Sequence, residues 1–480
     1  MSNITRRSLL LSSAALLGGS SLAASPKKRN VLFIASDDLN NCLGCYGDPI
    51  VKSPNIDRLA RMGVRFDRSY CQFPFCGPSR ASLMTGLAPD TTRVWDLQAN
   101  FRTHLPDAVT LPQLFQKNGY FTARAGKIYH YSVPDDIGTD GMDDKASWNQ
   151  VVNPNGVDHT REEPLLTVHT PTRGIGSSLA FHASAAPDAE HTDGLLASAV
   201  IQMMEQHRNE PFFLGAGFYR PHVPFIAPSK YFDMYPLENI QARPFNDADM
   251  TISPDWAFFT KPANWGMTVL QRREAIRAYY ASISFMDAQV GRLLDTLDRL
   301  KLTSNTTIVF WGDNGYQLGE HGQWMKQTVF EAAARVPVLI SGAGVSARGR
   351  GCARTVELLD LYPTLADLCG LSGATSQLAG KSLRPLLRNP NAAWDRPAVS
   401  QVQRVLPATG SSKATRIMGY SLRTERYRYS FWNEGEMGEE LYDYQTDPAE
   451  LRDLTKQAGF SSLKADLRAR LLTIIAARKG

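Results

Sequence analysis

Two short apolar runs, each ending in an acidic pair, constrain this chain more than any other feature. Val31-Leu32-Phe33-Ile34 leads through Ala35-Ser36 into Asp37-Asp38, and residues 306–311 lead into Asp313-Asn314. A continuous apolar run of this length suits a strand buried on both faces, as at the centre of a parallel sheet. Residues 64–66, 120–123, 211–218 and 336–340 repeat the pattern. They alternate with helix-like segments at 54–62, 111–117, 192–205 and 272–300, the last with Ile283, Met286, Val290, Leu293, Leu294 and Leu297 at helical spacing. Such alternation specifies an α/β fold with a largely parallel sheet. Functional groups of these sheets gather beyond the carboxyl ends of strands, where both acidic pairs fall.

Asp37, Asp38, Asp313 and Asn314 supply three carboxylates and an amide oxygen, a hard donor set that suits calcium or magnesium better than copper or thiolate-bound zinc. Asp and Asn also build turns and caps, so either pair alone is weak evidence. Between the pairs lies Cys76-Gly77-Pro78-Ser79-Arg80, continued by Thr85-Gly86. Pro78 suits the start of a helix running toward Met84, which sets Arg80 on the same face as residue 76, where it can stabilise an anion. A cysteine protease would need an imidazole base, and the sequence offers no dedicated partner. A disulfide to Cys71, or a small residue in a turn, are the other readings of Cys76. A reactive side chain, an anchoring cation and hard-metal ligands together suit hydrolysis of an oxyanion ester.

Length and composition fit this picture. The chain has 480 residues, enough for one large α/β core and a smaller attached domain, and 43% hydrophobic with 21% charged residues marks it as folded. Its net charge of +5 comes from 52 Lys+Arg against 47 Asp+Glu with no basic block, which argues against a nucleic-acid partner. Six cysteines (Cys42, Cys45, Cys71, Cys76, Cys352, Cys369) leave the pairing open, and Cys42-Leu43-Gly44-Cys45 lacks a second ligand pair for zinc. At the N-terminus Arg6-Arg7 precede an apolar run over 9–17 and small residues through Ala23-Ala24. Residues 1–24 therefore read as an export signal, loosely of twin-arginine type. The expected location is the bacterial periplasm, with extracellular and membrane-attached fates open and no integral membrane span. Residues 25–375 are expected to form the catalytic domain, with long excursions over its substrate end at 134–187. Residues 376–480 are expected to form a smaller C-terminal α/β subdomain with short antiparallel strands at 416–420, 427–431 and 441–444.

Cys76-x-Pro78-Ser79-Arg80 with Thr85-Gly86 resembles the signature of the type I, formylglycine-dependent sulfatases. Gly119-Tyr120-x-Thr122-x-x-x-Gly126-Lys127 resembles that family's second signature, and the likeness runs over essentially the whole mature chain. Lys127-Ile128-Tyr129-His130, Pro221-His222-Val223-Pro224-Phe225 and Gly319-Glu320-His321-Gly322-Gln323-Trp324 resemble patterns of the iduronate-2-sulfatase-like branch. Asn314 departs from that branch, which can carry histidine there. The resemblance implies an alkaline phosphatase-like fold: a large central mixed, mostly parallel sheet flanked by helices, and a smaller C-terminal antiparallel-sheet domain.

The same resemblance implies chemistry. Cys76 would be converted to Cα-formylglycine (3-oxoalanine) by a formylglycine-generating enzyme, and the hydrated aldehyde would supply the hydroxyl that attacks sulfur. One calcium ion would be held by Asp37, Asp38, Asp313, Asn314 and residue 76. Arg80 would stabilise the deprotonated hydrate. Lys127 and Lys326 would clamp sulfate oxygens, His130 would serve the hydrate as hydrogen-bond partner or base, and His222 would contact sulfate or the leaving oxygen. Either His222 or Lys326 would protonate the departing alcohol. His321 would organise the turn near the metal. The implied substrate is a sulfated sugar or polysaccharide fragment, such as a 2-O-sulfated uronate. Phosphate or phosphonate ester hydrolysis and a catalytically silent sugar-binding role stand as alternatives. Arg93, Asp96 and Arg102 are candidates to line the pocket, and Tyr429 and Trp432 to face a sugar ring. Oligomeric state, endo or exo action, and sulfate regiochemistry are not encoded in these motifs.

Overall fold

The computed structural model describes residues 28–406 and 415–479; the export signal expected over residues 1–24 lies outside them. Strand β1 (Asn30–Ser36) is buried at every position. Helix α1 (Pro54–Met62) begins on its proline and buries Ile56, Leu59 and Ala60. Then follow β2 (Gly63–Tyr70), α2 (Cys76–Thr85) and α3 (Leu111–Lys117), the last opened by a Thr110/Gln113 capping box that satisfies its first free N–H groups. The chain continues through β3 (Phe121–Gly126), β4 (Gln150–Val152), α4 (Thr192–Gln206), β5 (Phe212–Phe218) and the long α5 (Val269–Arg299). The last elements of this part are β6 (Thr306–Gly312), β7 (Val338–Gly342), β8 (Arg350–Glu357) and α6 (Leu361–Cys369).

These eight strands form one sheet in the order β8-β2-β7-β6-β1-β5-β3-β4. β7 runs antiparallel to β6 and β2, and the other neighbours pair in parallel, so the sheet is mixed and mostly parallel as expected. Alternation along β1 feeds both layers: Leu32 and Ile34 pack with residues of α1, α4 and α5, while Val31 and Phe33 pack with residues of α3 and α6. The β1–β6 register pairs Ser36 with Gly312. One residue further on in each strand stand Asp37 and Asp313, so the pairing alone brings the two acidic groups together.

The C-terminal part is an antiparallel sheet in the order β9 (Ala398–Leu406), β10 (Thr415–Arg423), β11 (Tyr427–Trp432), β12 (Glu439–Asp443), with helix α7 (Ser461–Arg478) burying Leu467, Leu471 and Ile475 against it. Three of the four strands lie where the sequence places them; β9 and α7 are additions. β9 is tied to the segment ahead of Cys76, since Gln401 N donates to Gln72 O at 2.8 Å and Ser400 Oγ to Cys71 O at 2.6 Å. Tyr429 is buried within this part and Trp432 against Phe73, Phe258 and Phe330 of the larger one (both 0% exposed), so neither presents a ring to a sugar.

Glu331 joins the two parts. It accepts from Tyr70 Oη (2.9 Å), Tyr444 Oη (3.0 Å), Arg423 Nε (3.3 Å) and Arg428 Nη2 (2.5 Å). Burial opposes its charge, but Arg423, Arg428 and Arg335 outweigh burial and hold the carboxyl well below its usual range. A depressed folded-state pKa contributes stability above the unfolded value near 4.5 that is lost as pH falls below it. Glu331→Gln is therefore expected to cost about 3 kcal/mol in urea unfolding at neutral pH. The variant's stability should also fall less steeply than the parent's on acidification below that value.

Candidate active site

The turn after β1 places Asp38 in the left-handed region (φ 61°), where its N–H donates to Asp313 Oδ1 at 3.0 Å. Asn314 N donates to the same oxygen at 2.9 Å, and Asn314 Nδ2 donates to Asp38 Oδ1 at 2.8 Å. All four residues of the two pairs are buried. Two oxygens among them, Asp37 Oδ1 and Asn314 Oδ1, have no hydrogen-bond partner among the described residues. Buried acceptors are ordinarily satisfied, so these two call for a partner that the protein itself does not supply. A cation that prefers oxygen ligands fits this donor set. Ligand atoms of Asp37, Cys76 and Asp313 lie within 4.8 Å of one another, as do those of Asp37, Asp38 and His222.

Cys76 is the first residue of α2 and 1% exposed. The helix N-terminus favours negative charge there. Its Sγ lies 3.8 Å from Lys326 Nζ, and among the described residues no imidazole is hydrogen-bonded to it. Burial pushes the thiol pKa up, although Lys127 and Lys326 pull the other way. As an unmodified residue it is a thiol, which is a poor nucleophile. Arg80 lies one turn further along, fully buried: Nε donates to Asp313 Oδ2 at 2.7 Å and Nη1 to the Lys127 and Ile128 carbonyls at 2.5 and 3.1 Å. Its Nη2 is 3.7 Å from Asp37 Oδ1 and has no hydrogen bond among the described residues.

Lys127 follows β3 directly. A Cβ at position 217 of β5 would stand 2.2 Å from the Lys127 carbonyl oxygen, so only glycine lets this segment approach so closely. Lys127 Nζ pairs with Asp37 Oδ2 at 2.5 Å. With Lys127, His222, Arg80 and Lys326 around it, Asp37 keeps a pKa well below the carboxylate range despite burial, which acts against its charge. Lys326 pairs with Asp38 Oδ1 and sits between two left-handed residues, Met325 (φ 66°) and Gln327 (φ 70°); Gln327 N donates to Pro74 O at 2.9 Å, tying this turn to the Cys76 segment. Side chains in that conformation are strained, and strain of this kind gathers at functional sites.

His222 and His130 complete the group. His222 Nδ1 contacts Val223 O at 2.5 Å. Because a carbonyl only accepts, Nδ1 carries the proton, and in the neutral ring Nε2 has the lone pair. Burial drops the His222 pKa to about 4 in spite of nearby Asp38. Arg220 holds this loop by donating to the carbonyls of His222 (3.2 Å), Pro224 (2.9 Å) and Ile226 (2.9 Å) while pairing with Asp158 at 2.7 Å. His130 is buried, both ring nitrogens lack partners among the described residues, and burial together with Lys127 keeps it neutral.

Asp38, Cys76, His130, His222 and Lys326 line one cavity of about 290 Å³. Asp37, Arg80, Lys127, Asp313 and Asn314 lie behind it in the contacts described above. All nominated metal and catalytic residues thus converge. The pocket candidates fare differently. Arg93 is exposed and does not line the cavity. Arg102 is occupied by Asp144 (2.8 Å) and Gln113 (2.7 Å). Asp96 accepts from the backbone of Gln98 and Ala99 and lines a neighbouring cleft. His321 bonds the Ala449 and Glu450 carbonyls at 2.9 and 3.2 Å and stacks on Phe330, away from the cavity. The wall instead includes Phe75, Asp135, Arg173 and Phe259, two of them from the excursion over 134–187.

A family model described as Sulfatase matches residues 29–371, well over half of the chain. The chain belongs to the sulfatase family. A second model, N-sulphoglucosamine sulphohydrolase, C-terminal, matches residues 319–477 of this sulfatase. Iduronate 2-sulfatase of Homo sapiens is 33% identical to it over 470 aligned residues, covering 84% of each chain. Among solved structures, the phosphonate monoester hydrolase of Agrobacterium radiobacter superposes with a TM-score of 0.74 at 22% identity, covering 94% of the sulfatase and 96% of that chain. A structure in complex with its substrate D-glucosamine-2-N,6-O-disulfate gives 0.73 at 21% identity, covering 94% and 98%. The sulfatase thus has the alkaline phosphatase-like fold that its signatures imply, and it is a sulfuric ester hydrolase. Among its described residues no helix is long and apolar enough to cross a membrane.

Proposed function

We propose that this sulfatase removes an O-sulfate from a sugar, using formylglycine made from Cys76 and one calcium ion held by Asp37, Asp38, Asp313, Asn314 and residue 76. The observation that carries the reading is the setting of Cys76: a protonated thiol at a helix N-terminus, on the wall of a cavity, 3.8 Å from Lys326 and with no imidazole hydrogen-bonded to its sulfur among the described residues. Sulfur at this position stands in for the oxygens of a hydrated aldehyde. The hydrate supplies an oxygen nucleophile, and the bound ion supplies positive charge beside the developing oxyanion.

The chain's own groups do the rest. Arg80 and Lys127 are held rigidly by Asp313 and Asp37, so their positive charge is fixed before substrate arrives. Lys326 is charged, since Asp38 and Asp37 outweigh the burial that opposes it, and it takes a sulfate oxygen. Neutral His130, with free ring nitrogens, accepts a proton from the residue-76 hydrate. Of the two candidates for protonating the leaving alcohol, Lys326 carries a proton at neutral pH, whereas His222 presents a lone pair at Nε2. Lys326 is therefore assigned the acid role and His222 the role of acceptor. Arg173 lines the cavity with no carboxylate partner among the described residues; it donates to Ser177 O at 2.7 Å and stacks on Trp265. A free guanidinium there suits a substrate with a second anionic group, such as a uronate carboxylate. The names of two relatives point the same way, one acting on iduronate sulfate and one binding a glucosamine disulfate.

Coexpression with a formylglycine-generating enzyme tests the reading. The peptide holding Cys76 should acquire the mass of the aldehyde, and the product should hydrolyse a sulfate ester in preference to the matched phosphate and phosphonate esters. An unconverted thiol, beside a control sulfatase that is converted, would sink the mechanism and favour a silent binding role. Preference for the phosphonate would transfer the site to the other ester class.

A further inference from the structure

A cleft of about 450 Å³ opens beside the reactive cavity and shares Phe75, Phe259 and Gln327 with it. Its outer wall holds half-buried Trp95 and Trp256, and Arg404 of β9. The Arg404 guanidinium lies 5.7 Å from the centroid of Phe259 and 5.2 Å from that of Trp432. In the reactive cavity, Arg173 lies 5.8 Å from the same Phe259 ring. Phe259 is thus shared by two guanidinium groups, one in each space.

Arg404 is an unusual cation. It donates one long bond, from Nη1 to Gln403 O at 3.2 Å, and its buried Nε and Nη2 have no partner among the described residues. Burial without a counter-ion brings its pKa down to about 10. Of the other charged groups that line the cleft, Lys261 and Asp255 pair with each other at 2.6 Å and Asp96 accepts from the backbone N–H groups of Gln98 and Ala99, so none of them pairs with Arg404. Unpaired buried donors are unfavourable unless a ligand satisfies them. Broad ring faces beside a guanidinium with two N–H groups unpartnered among the described residues suit a ligand that is part flat and apolar, part oxyanion.

We propose that this cleft is the subsite for the sugar unit attached to the one that loses sulfate, with Arg404 binding a sulfate or carboxylate of that second unit. The assignment rests on the sulfated-sugar reading above and deepens it: the substrate is a polyanionic oligosaccharide of at least two units, spanning both spaces across Phe259.

The test is calorimetric titration of the Cys76→Ala protein, which binds without turnover. One probe is a heparin-derived disaccharide with a 2-O-sulfated uronate and a 6-O-sulfated glucosamine; the other is the 2-O-sulfated uronate as its methyl glycoside. The disaccharide should bind more tightly than the monosaccharide, and adding Arg404→Gln should weaken it about tenfold or more and close most of that gap. Arg404→Lys, which keeps the charge but loses the fork, should fall between them. Trp256→Ala gives a second reading on the same cleft, independent of how β9 tolerates substitution. Equal weakening of both probes, unchanged disaccharide affinity in Arg404→Gln, or a parent protein that does not prefer the disaccharide overturns the subsite. Hydrolysis of 4-nitrophenyl sulfate by the converted wild type reports separately on the catalytic reading, so either idea can fail alone.

Discussion

Replacing Cys76 by alanine is expected to abolish turnover of any sulfate ester while leaving the fold intact. Under the proposed function residue 76 supplies the nucleophile, and the two serines on the cavity wall, Ser132 and Ser177, lie outside α2 and do not replace it. Removing a covalent participant typically costs about ten-thousand-fold or more in kcat/KM. The structural effect should be small, because among the described residues Sγ has one long hydrogen-bond contact, to Lys326, and alanine is well accommodated at the start of a helix. Unfolding free energy should shift by about 1 kcal/mol or less. The pair of readings matters: lost activity with an unchanged urea midpoint marks residue 76 as chemical, whereas a parallel loss of stability would mark it as packing.

Calcium should prove the second large effect. Chelation is expected to lower the melting temperature and to reduce activity by about a thousand-fold, since a bound ion stabilises transition-state charge by several kcal/mol. Returning calcium to a concentration of about 100 times its dissociation constant should restore about 2.7 kcal/mol of stability. The decisive comparison uses Asp313→Asn. Its baseline stability will also fall, because Arg80 loses a 2.7 Å ion pair. The quantity to read is therefore the calcium-dependent increment in melting temperature, which should vanish in the variant. An undiminished increment would move the ion elsewhere in the molecule.

Much of this architecture was legible beforehand, for definite physical reasons. Helices over residues 54–62 and 111–117 have unambiguous starts, a proline at the first position and a capping Thr, and the structure returns them with those bounds. β1 and β6, each built on a continuous apolar run and buried at every position, could hardly be anything but central strands, and their pairing delivers the two acidic groups to one point. β9 escaped notice because Ser400, Gln401, Gln403 and Arg404 interrupt its apolar pattern: the Ser400 hydroxyl bonds the segment ahead of Cys76, and Gln403 and Arg404 line a cleft. Tyr429 and Trp432 misled because aromatic residues in a small sheet look alike whether they face solvent or core. Arg173 and Phe259 had no local signal at all. They lie in aperiodic stretches 86 residues apart by number, and only tertiary packing brings them to the wall beside Cys76. The left-handed Asp38, Met325 and Gln327 likewise follow from closure of the site, not from residue preference.

The burial of Cys76 also fixes an order of events during the protein's synthesis. The residue is 1% exposed once the sheet is complete, which leaves a modifying enzyme nothing to grip. Its enclosure, however, waits on Lys326 and on β6, whose acidic pair lies well over two hundred residues downstream. Contacts of such sequence separation form late, and a ribosome adds about 5–20 residues per second. The nascent chain therefore carries the Cys76 segment uncovered for on the order of tens of seconds. Under the proposed function, conversion of Cys76 has to take place inside that interval, so a slower-closing variant is expected to gain aldehyde and a faster-closing one to lose it.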